Sequence, residues 1–284
     1  MSYKHVIITE FGGPEVLEVV EENALPEPGA GEARVKILAA SATFTDTMVR
    51  KGVYYGFKET PPLSPGPAEA VSMVLSYVTA YQMLHRIAKV KRGQKILAHG
   101  AGGAVGTALL ELGRLFDLEM YGTASKSKHE LVKSLGGIPI DYKSEDFLAK
   151  MQAVGGVDAA FDAISGENFK RSFKSLKKGG ALVPYGFYNQ AMGKGGNVAL
   201  DYMSVMLWNI LPNGRKASFY SIGDLRKKNP EWFKEDLGAL FDLLKEGKIK
   251  PAIERRMKLE DAAQAHKLIE QAAVKGRIVL MVNE

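Results

Sequence analysis

The stretch KILAHGAGGAVG, residues 95–106, places three glycines between an apolar run and a helical pattern. Ile96 and its apolar neighbours are typical of a buried strand, and Gly100, Gly103 and Gly106 follow before a helix near Thr107. Glycines between a strand and a helix let the backbone approach a pyrophosphate, and the helix N-terminus attracts phosphate groups. The pattern predicts a dinucleotide-binding loop. A purely structural turn is the alternative.

The next predicted strand, over 119–123, ends without the acidic residue that binds the ribose hydroxyls of NAD in this kind of fold. Thr123, Ser125 and Lys126 stand there instead, with Lys128 nearby. Hydroxyl and ammonium groups suit a 2′-phosphate, which a carboxylate would repel. We therefore predict NADPH as the cofactor. The alternative is that these residues only cap and solubilise the following helix, and the two roles are compatible.

The elements that must position these residues alternate between short strands and helices from residue 95 to about 222. The predicted strands are 96–99, 119–123, 138–140, 157–162, 180–184 and 217–221. This alternation predicts an α/β fold with a doubly wound, parallel, six-stranded Rossmann sheet that binds its ligand at the carboxyl ends of the strands. Residues 1–66 show β-type alternation. We predict a Rossmann domain over 79–247 and a second, β-rich domain over 1–78 plus 248–284.

Composition limits the classes of chemistry. The 284 residues include no cysteine, which excludes disulfides, a cysteine nucleophile and cysteine-ligated metals, and the five histidines are scattered, so no metal site is predicted. A net charge of +6 is spread along the chain, which suits an anionic small molecule rather than nucleic acid. No apolar run has spanning length and the N-terminus does not read as a signal peptide, so we predict a cytoplasmic protein without a membrane partner.

Six segments along the chain carry a resemblance to a known family. They are ITEFGGPEVLEV at 8–19, FTDTMVRKGVY at 44–54, YVTAYQML at 77–84, HGAGGAVG at 99–106, FDAISGENF at 161–169 and ALVPYGFYNQ at 181–190. Together they resemble the zinc-free medium-chain dehydrogenases/reductases close to the NADPH:quinone oxidoreductases, the zeta-crystallin-like branch. The resemblance implies a GroES-like barrel beside the Rossmann domain. It also implies hydride transfer from NADPH to a quinone or an activated alkene or carbonyl.

The same resemblance implies roles for individual residues. Gly103, Ala104 and Val105 would contact the pyrophosphate through their backbone, and Ser125, Lys126 and Tyr142 would surround the 2′-phosphate. Ile164, Gly186 and Phe187 would flank the nicotinamide, and Thr79 would touch the cofactor near that end. Arg277 would reach the cofactor from the C-terminal strand. Without zinc, hydrogen bonds from Thr43, Tyr54 or backbone groups would polarise the substrate. A homodimer through the edge of the Rossmann sheet, at 216–222, is also implied.

Two departures from the family pattern bear on activity. The family loop has asparagine where this chain has Thr43, and a hydroxyl reaches less far than an amide. A block of barrel strands that follows Pro65-Gly66 in the family is missing, because Gly66 is followed directly by the helical segment near 69–84. The barrel domain is therefore predicted to be truncated. The alternative function is an NADPH-binding module or scaffold with little or no turnover.

Overall fold

A computed structural model describes residues 2–25, 27–29, 37, 39–54, 59–62 and 72–282 of the chain. The Pro65-Gly66 junction, where the family block is missing, lies outside these residues. The chain divides into two compact units, Met1–Ser72 with Ile253–Glu284 and Met73–Ala252.

The strands are β1 (Tyr3–Ile8), β2 (Leu17–Glu22), β3 (Ala39–Ala42), β4 (Lys95–His99), β5 (Glu119–Ala124), β6 (Gly137–Asp141), β7 (Val157–Asp162), β8 (Leu176–Pro184), β9 (Lys216–Ala217), β10 (Ile253–Lys258) and β11 (Arg277–Met281). The α-helices are α1 (Phe44–Arg50), α2 (Ser72–Gln82), α3 (Ala104–Leu115), α4 (His129–Ser134), α5 (Phe147–Ala153), α6 (Glu167–Lys174), α7 (Tyr188–Ala191), α8 (Val198–Ile210), α9 (Ile222–Lys228), α10 (Pro230–Lys245) and α11 (Ala262–Glu270). Within the described ranges, no helix has the length and apolarity needed to cross a bilayer.

The second unit contains the predicted sheet. Its described strands pair in parallel in the order β6-β5-β4-β7-β8-β9, which confirms the doubly wound fold. The order reverses between β4 and β7, the place where such folds bind ligands. Strand β9 is shorter than predicted, although the backbone N–H groups of Ser218 and Tyr220 still donate to the carbonyls of Leu182 and Pro184.

Alternate residues of the central strand pack on opposite faces of this sheet, as strand geometry requires. Ile96 and Ala98 belong to one buried cluster together with Leu109 and Leu110 of α3. Leu97 belongs to a second cluster, which contains buried residues of β5, β7 and β8. Both faces are therefore covered, which explains the nearly continuous apolar sequences of these parallel strands.

The first unit contains two small sheets. Strands β1 and β2 form an antiparallel hairpin, while β11 pairs in parallel with β10 and antiparallel with β3. Its core includes Ala42, Leu259, Ile278 and Leu280, and apolar residues of the hairpin pack against it. These small sheets are separate from the six-stranded Rossmann-like sheet, as the predicted fold class requires.

Close packing between α3 and the glycine loop depends on Gly106. A Cβ atom on this residue would stand 2.5 Å from Cα of Ala101 and closer still to the carbonyl oxygen of Gly100. Both neighbours are backbone atoms, which move only if the helix shifts away from the loop. Gly106→Ala is therefore expected to lower the free energy of unfolding by about 1–3 kcal/mol, measured by chemical denaturation.

Gly238→Ala is the matched control, because Gly238 lies inside α10 and a Cβ atom there would meet no heavy atom within 4 Å. Alanine is the better helix former, so this change is expected to stabilise the protein by about 0.4–1 kcal/mol. Equal stability of the two variants would contradict the packing argument.

Candidate functional site

The glycine loop lies at the carboxyl end of β4, beside the point where the strand order reverses. Gly100 has a φ of 66°, and the backbone N–H of Ala101 donates to the carbonyl of Thr123 at 3.0 Å. Helix α3 begins at Ala104, with Gly103 as its N-cap and no side-chain cap. The first N–H groups of a helix have no acceptor within it, and its dipole is positive there. This end of α3 therefore suits a phosphate group.

The hydroxyl of Thr123 forms hydrogen bonds inside the protein, one of them to the glycine loop. The side chain is buried, and its Oγ1 lies 3.0 Å from Nδ1 of His99. The same oxygen accepts the backbone N–H of Gly100 at 3.3 Å. The predicted role of Thr123 as a direct phosphate ligand is corrected accordingly, because both contacts direct the hydroxyl into the protein.

The side chain of Lys128 lies against the glycine loop. A Cβ atom on Gly102 would stand 2.6 Å from Cδ of Lys128, so the stem of this lysine lies across the loop. Lys126 is exposed, and Ser125 begins the short 3-10 helix Lys126–Lys128 while its Oγ lies 3.2 Å from Oγ of Ser127. Sequence reasoning named Lys128 only as a neighbour, because spacing along the chain does not show which side chain turns toward the loop.

Tyr142 directly follows β6 and has an exposed side chain. Its phenol lies near Tyr188, whose pKa is raised mainly by burial and further by Tyr142. This places an exposed aromatic group beyond the carboxyl end of the strand that neighbours β5. Its predicted contact with the 2′-phosphate stays a prediction.

The loops that follow β7 and β8 contact one another. The backbone N–H groups of Tyr188 and Asn189 donate to the carbonyls of Ala163 and Ile164 at 2.9 Å and 3.0 Å. A Cβ atom on Gly186 would stand 3.0 Å from Cβ of Ala163, so any residue with a side chain would displace its neighbour slightly. These contacts bring together Ile164 and Gly186, two of the residues predicted to flank the nicotinamide.

Phe187 belongs to an aromatic group behind these loops. Its ring centroid lies 5.7 Å from that of Phe219, 5.6 Å from that of Tyr202 and 6.2 Å from that of Phe169. Part of the ring is exposed. Packing thus fixes its orientation while leaving a surface for a ligand.

The loop after β7 is held in a strained conformation. Ser165 has a φ of 78°, which a residue with a side chain rarely adopts, and its hydroxyl bonds to Gln190 and to the carbonyl of Ile164. The carboxylate of Asp201 in α8 accepts hydrogen bonds from Gln190 Nε2 at 2.6 Å and from the backbone N–H of Gly166 at 3.1 Å. Sequence analysis gave Ser165 and Asp201 no role, since these contacts join residues 11 to 35 positions apart.

Thr79 lies in α2 and is buried. Its hydroxyl bonds to the phenol of Tyr220, and that phenol donates to Oε1 of Gln82 at 2.9 Å. Burial raises the pKa of Tyr220, so this group stays protonated. Thr79 is thus part of a polar cluster in the second unit, and its predicted contact with the cofactor stays a prediction.

The first unit contains three predicted site residues. Thr43 is the N-cap of α1, where its hydroxyl donates to the Asp46 carboxylate at 2.9 Å and accepts the Asp46 N–H at 3.4 Å. A hydroxyl has one proton, so this capping box occupies the group that was predicted to polarise a substrate. Arg277 is buried in β11, and Tyr54 is exposed. The predicted functions of these two residues stay predictions.

A family model described as "Zinc-binding dehydrogenase" matches residues 135–280, more than half of the chain. The synaptic vesicle membrane protein VAT-1 homolog of Danio rerio is 25% identical, with 98% of this chain and 70% of that protein covered. The quinone oxidoreductase of Mus musculus is 24% identical, with 97% of this chain and 96% of that protein covered.

The alignment with the Danio rerio protein includes positions that this chain lacks. It runs over 341 positions, whereas this chain has 284 residues, so at least 57 positions of the relative have no counterpart here. Because 98% of this chain is covered, those positions fall inside the aligned region. Their number is large enough to include the missing block that the sequence motifs predict, and the position of that block stays a prediction.

Solved structures share the fold along nearly the whole chain. The Escherichia coli quinone oxidoreductase, solved as a complex with NADPH, has a TM-score of 0.82 at 20% identity, with 98% of this chain and 99% of that chain covered. The human VAT-1 homolog-like protein has a TM-score of 0.76 at 22% identity, with 100% and 99% covered. Family model and fold agree, and the chain belongs to the zinc-binding dehydrogenase family.

Proposed function

We propose that this chain is an NADPH-dependent reductase that transfers a hydride to a quinone or to an activated alkene or carbonyl, without zinc. The observation that carries the proposal is the uncapped start of α3 at the strand-order reversal, with the stem of Lys128 across Gly102. A helix dipole, a close backbone and an adjacent ammonium group favour a phosphate-rich ligand. The relatives named for quinone reduction supply the reaction class.

The chain offers groups for each part of NADPH. Backbone N–H groups at Ala104 and Val105 would hold the pyrophosphate, and Ser125, Lys126 and Lys128 the 2′-phosphate. Ile164, Gly186 and Phe187 would flank the nicotinamide, with Thr79 and Arg277 as further cofactor contacts. Bound NADPH would supply the hydride, since none of the protein's own side chains is a reductant. The protein's part is to orient the cofactor and exclude water.

Zinc, which the family description implies, does not fit the residues of this chain. The sequence has no cysteine, the usual ligand for structural zinc sites, and the described residues contain no group of three or more histidine, aspartate or glutamate side chains able to hold a metal. No step of the proposed reaction therefore uses a metal. The polarising hydrogen bond would come from Tyr54, because the proton of Thr43 is directed at Asp46.

A second function is supported by the positions of the Danio rerio protein that this chain lacks. The positions that this chain lacks relative to the Danio rerio protein would leave it with less of a substrate-binding domain. In that case the chain is an NADPH-binding module or scaffold with little or no turnover. The cytoplasmic location stays a prediction.

One experiment separates these functions. NADPH is titrated against the protein by nucleotide fluorescence, and consumption of NADPH is then followed by absorbance with a panel of quinones and enones. A reductase is expected to bind NADPH and to consume it only when an acceptor is present. Binding without consumption supports the module and rejects the reductase. Absence of binding rejects both.

The preference for NADPH over NADH tests whether Lys128 binds the 2′-phosphate. A hydrogen bond to a charged group contributes about 1.5–3 kcal/mol, so Lys128→Ala is expected to raise the Kd for NADPH by about 10–100-fold. The Kd for NADH, which lacks the 2′-phosphate, is expected to change less than about threefold. Lys133→Ala is the control, because this exposed lysine of α4 pairs with Glu130 and is given no contact with the cofactor. Equal losses for both nucleotides would contradict this role of Lys128.

We also propose that the chain self-associates, through α8 rather than through its edge strand. Asn209 of α8 donates from Nδ2 to the carbonyl of Ala217 and accepts the Ala217 N–H at Oδ1, 2.8 Å away. This side chain thus occupies backbone groups of β9 that a second sheet edge would need. The predicted edge-to-edge dimer over 216–222 stays a prediction, and the Asn209 contacts weigh against it at Ala217.

The outer face of α8 suits a second copy of the chain. Leu200, Met203, Met206, Leu207 and Ile210 recur at helical spacing, and each is more than half exposed. The helix has a single charged residue, and its carboxylate is directed at the loop after β7. Two copies could pack these faces together without burying a charge, whereas most surface helices present polar residues outward.

Leu207→Glu tests this interface by light scattering after size exclusion. Burying one carboxylate there costs several kcal/mol, so the dimer Kd is expected to rise at least about 100-fold. Phe241→Glu, at an exposed apolar position of α10, is the control and should leave the dimer intact. A monomeric wild-type protein, or a Leu207→Glu dimer of unchanged Kd, would reject the proposal.

A further inference from the structure

A continuous chain of hydrogen bonds crosses the second unit from the glycine loop to the loop after β7. The backbone N–H of Gly100 contacts Thr123 Oγ1 at 3.3 Å, and that oxygen lies 3.0 Å from His99 Nδ1. His99 Nε2 lies 2.9 Å from Ser172 Oγ, which donates to Asp162 Oδ2 at 2.6 Å. The four side chains are buried, so the bonds between them form out of contact with water.

The far end of this chain fixes the next loop. Asp162 Oδ1 accepts the backbone N–H of Ile164 at 2.7 Å, and Oδ2 also accepts Nδ2 of Asn168 at 2.8 Å. Gly100 and Ile164 thus lie at the two ends of one polar connection. Both belong to loops at the carboxyl ends of strands, one on each side of the strand-order reversal.

The direction of the protons follows from the acceptor at the end. Ser172 gives its single proton to the Asp162 carboxylate, so its oxygen must accept a proton from His99 Nε2. In a neutral imidazole, Nδ1 is then the acceptor for the Thr123 hydroxyl proton. Thr123 in turn accepts from Gly100. One tautomer, neutral with the proton on Nε2, satisfies every group.

The surroundings favour this neutral form. Burial is the largest influence on His99 and lowers its pKa, and Arg171 lowers the pKa further while Asp162 opposes both. The Arg171 guanidinium lies over the Phe147 ring at 4.5 Å and pairs with Asp146, while the His99 ring meets Phe147 edge-on at 4.7 Å. A protonated imidazole would direct a second N–H at Thr123, whose hydroxyl proton would then lose its acceptor.

We propose that His99 is a positioning residue that sets the backbone of Gly100 and Ile164 relative to one another, and so aligns the pyrophosphate and nicotinamide ends of the site. The assignment of the two ends rests on the proposed function, whereas the coupling of the two loops does not. His99 acts through Thr123 and Ser172, since the ring itself is buried.

The first test needs no cofactor. Imidazole ¹⁵N spectra of the full chain are expected to show His99 as the neutral Nε2–H tautomer throughout the range from about pH 6 to 8. An ordinary histidine, with a pKa of about 6.5, becomes charged within that range. In backbone amide spectra, Ser172→Ala is expected to shift both Gly100 and Ile164. Ser175→Ala is the matched control, because Ser175 is an equally buried serine whose hydroxyl donates to the carbonyl of Ser172, outside the chain. An Nδ1–H tautomer, or amide shifts at only one loop, would overturn the proposal.

The second test measures binding. Ser172→Ala is expected to raise the Kd for NADPH about tenfold, as the loss of one hydrogen bond would. The Kd for 2′,5′-ADP, which lacks the nicotinamide half, is expected to stay within about twofold. Should Ser172→Ala fail to fold, Thr123→Val removes the same connection and leaves the donors of Asp162 in place.

The outcomes of the binding test are distinct. If the wild-type protein does not bind NADPH, the proposed function fails, and the amide and tautomer spectra still decide whether His99 couples the loops. If the wild-type protein binds but Ser172→Ala or Thr123→Val matches Ser175→Ala, the positioning role fails and the proposed function stands. Equal weakening of NADPH and 2′,5′-ADP would also reject it, because a general loss of structure affects both ligands alike.

Discussion

The carboxylate of Asp162 is fully buried, and the structure around the candidate site depends on how it is satisfied. A buried carboxylate needs hydrogen-bond donors to replace the water it has lost. Asp162 receives them from the backbone of Ile164 and from the side chains of Asn168 and Ser172. All three follow β7 within ten residues, so the chain must fold back around the strand end. The path of this loop is a consequence of the desolvation of one carboxylate.

That loop then constrains its neighbours. Its carbonyl oxygens accept hydrogen bonds from backbone N–H groups of α7. Gly186 also approaches Ala163 so closely that a larger residue would push the loops apart. Asp201 at the start of α8 binds both the backbone of Gly166 and Gln190. Helix α8 is therefore connected to the candidate nicotinamide side by hydrogen bonds. A partner seated on its outer face would contact an element that the site itself helps to hold.

Sequence patterns predicted the parts of the fold that depend on local chemistry. The apolar run and glycines at 95–106 give β4, the loop and α3, because periodicity and backbone freedom suffice to specify them. The same patterns do not predict which polar side chains contact one another. Thr43 fits a capping box as well as a substrate contact, and only the position of Asp46 decides between them. The predicted edge strand stops at Ala217, where the Asn209 side chain takes the place of a paired strand.

The two small sheets of the first unit are stabilised by packing against a shared core. A hairpin such as β1–β2 is marginal by itself, but its residues Val6, Leu17 and Val19 pack against the cluster around Ile278 and Leu280. The strands of the second unit follow one another from β4 to β9, with apolar clusters on both faces of their sheet. The positions missing relative to the longer relative therefore need not cost this sheet any strand. We expect such a loss to alter substrate choice before it alters cofactor binding.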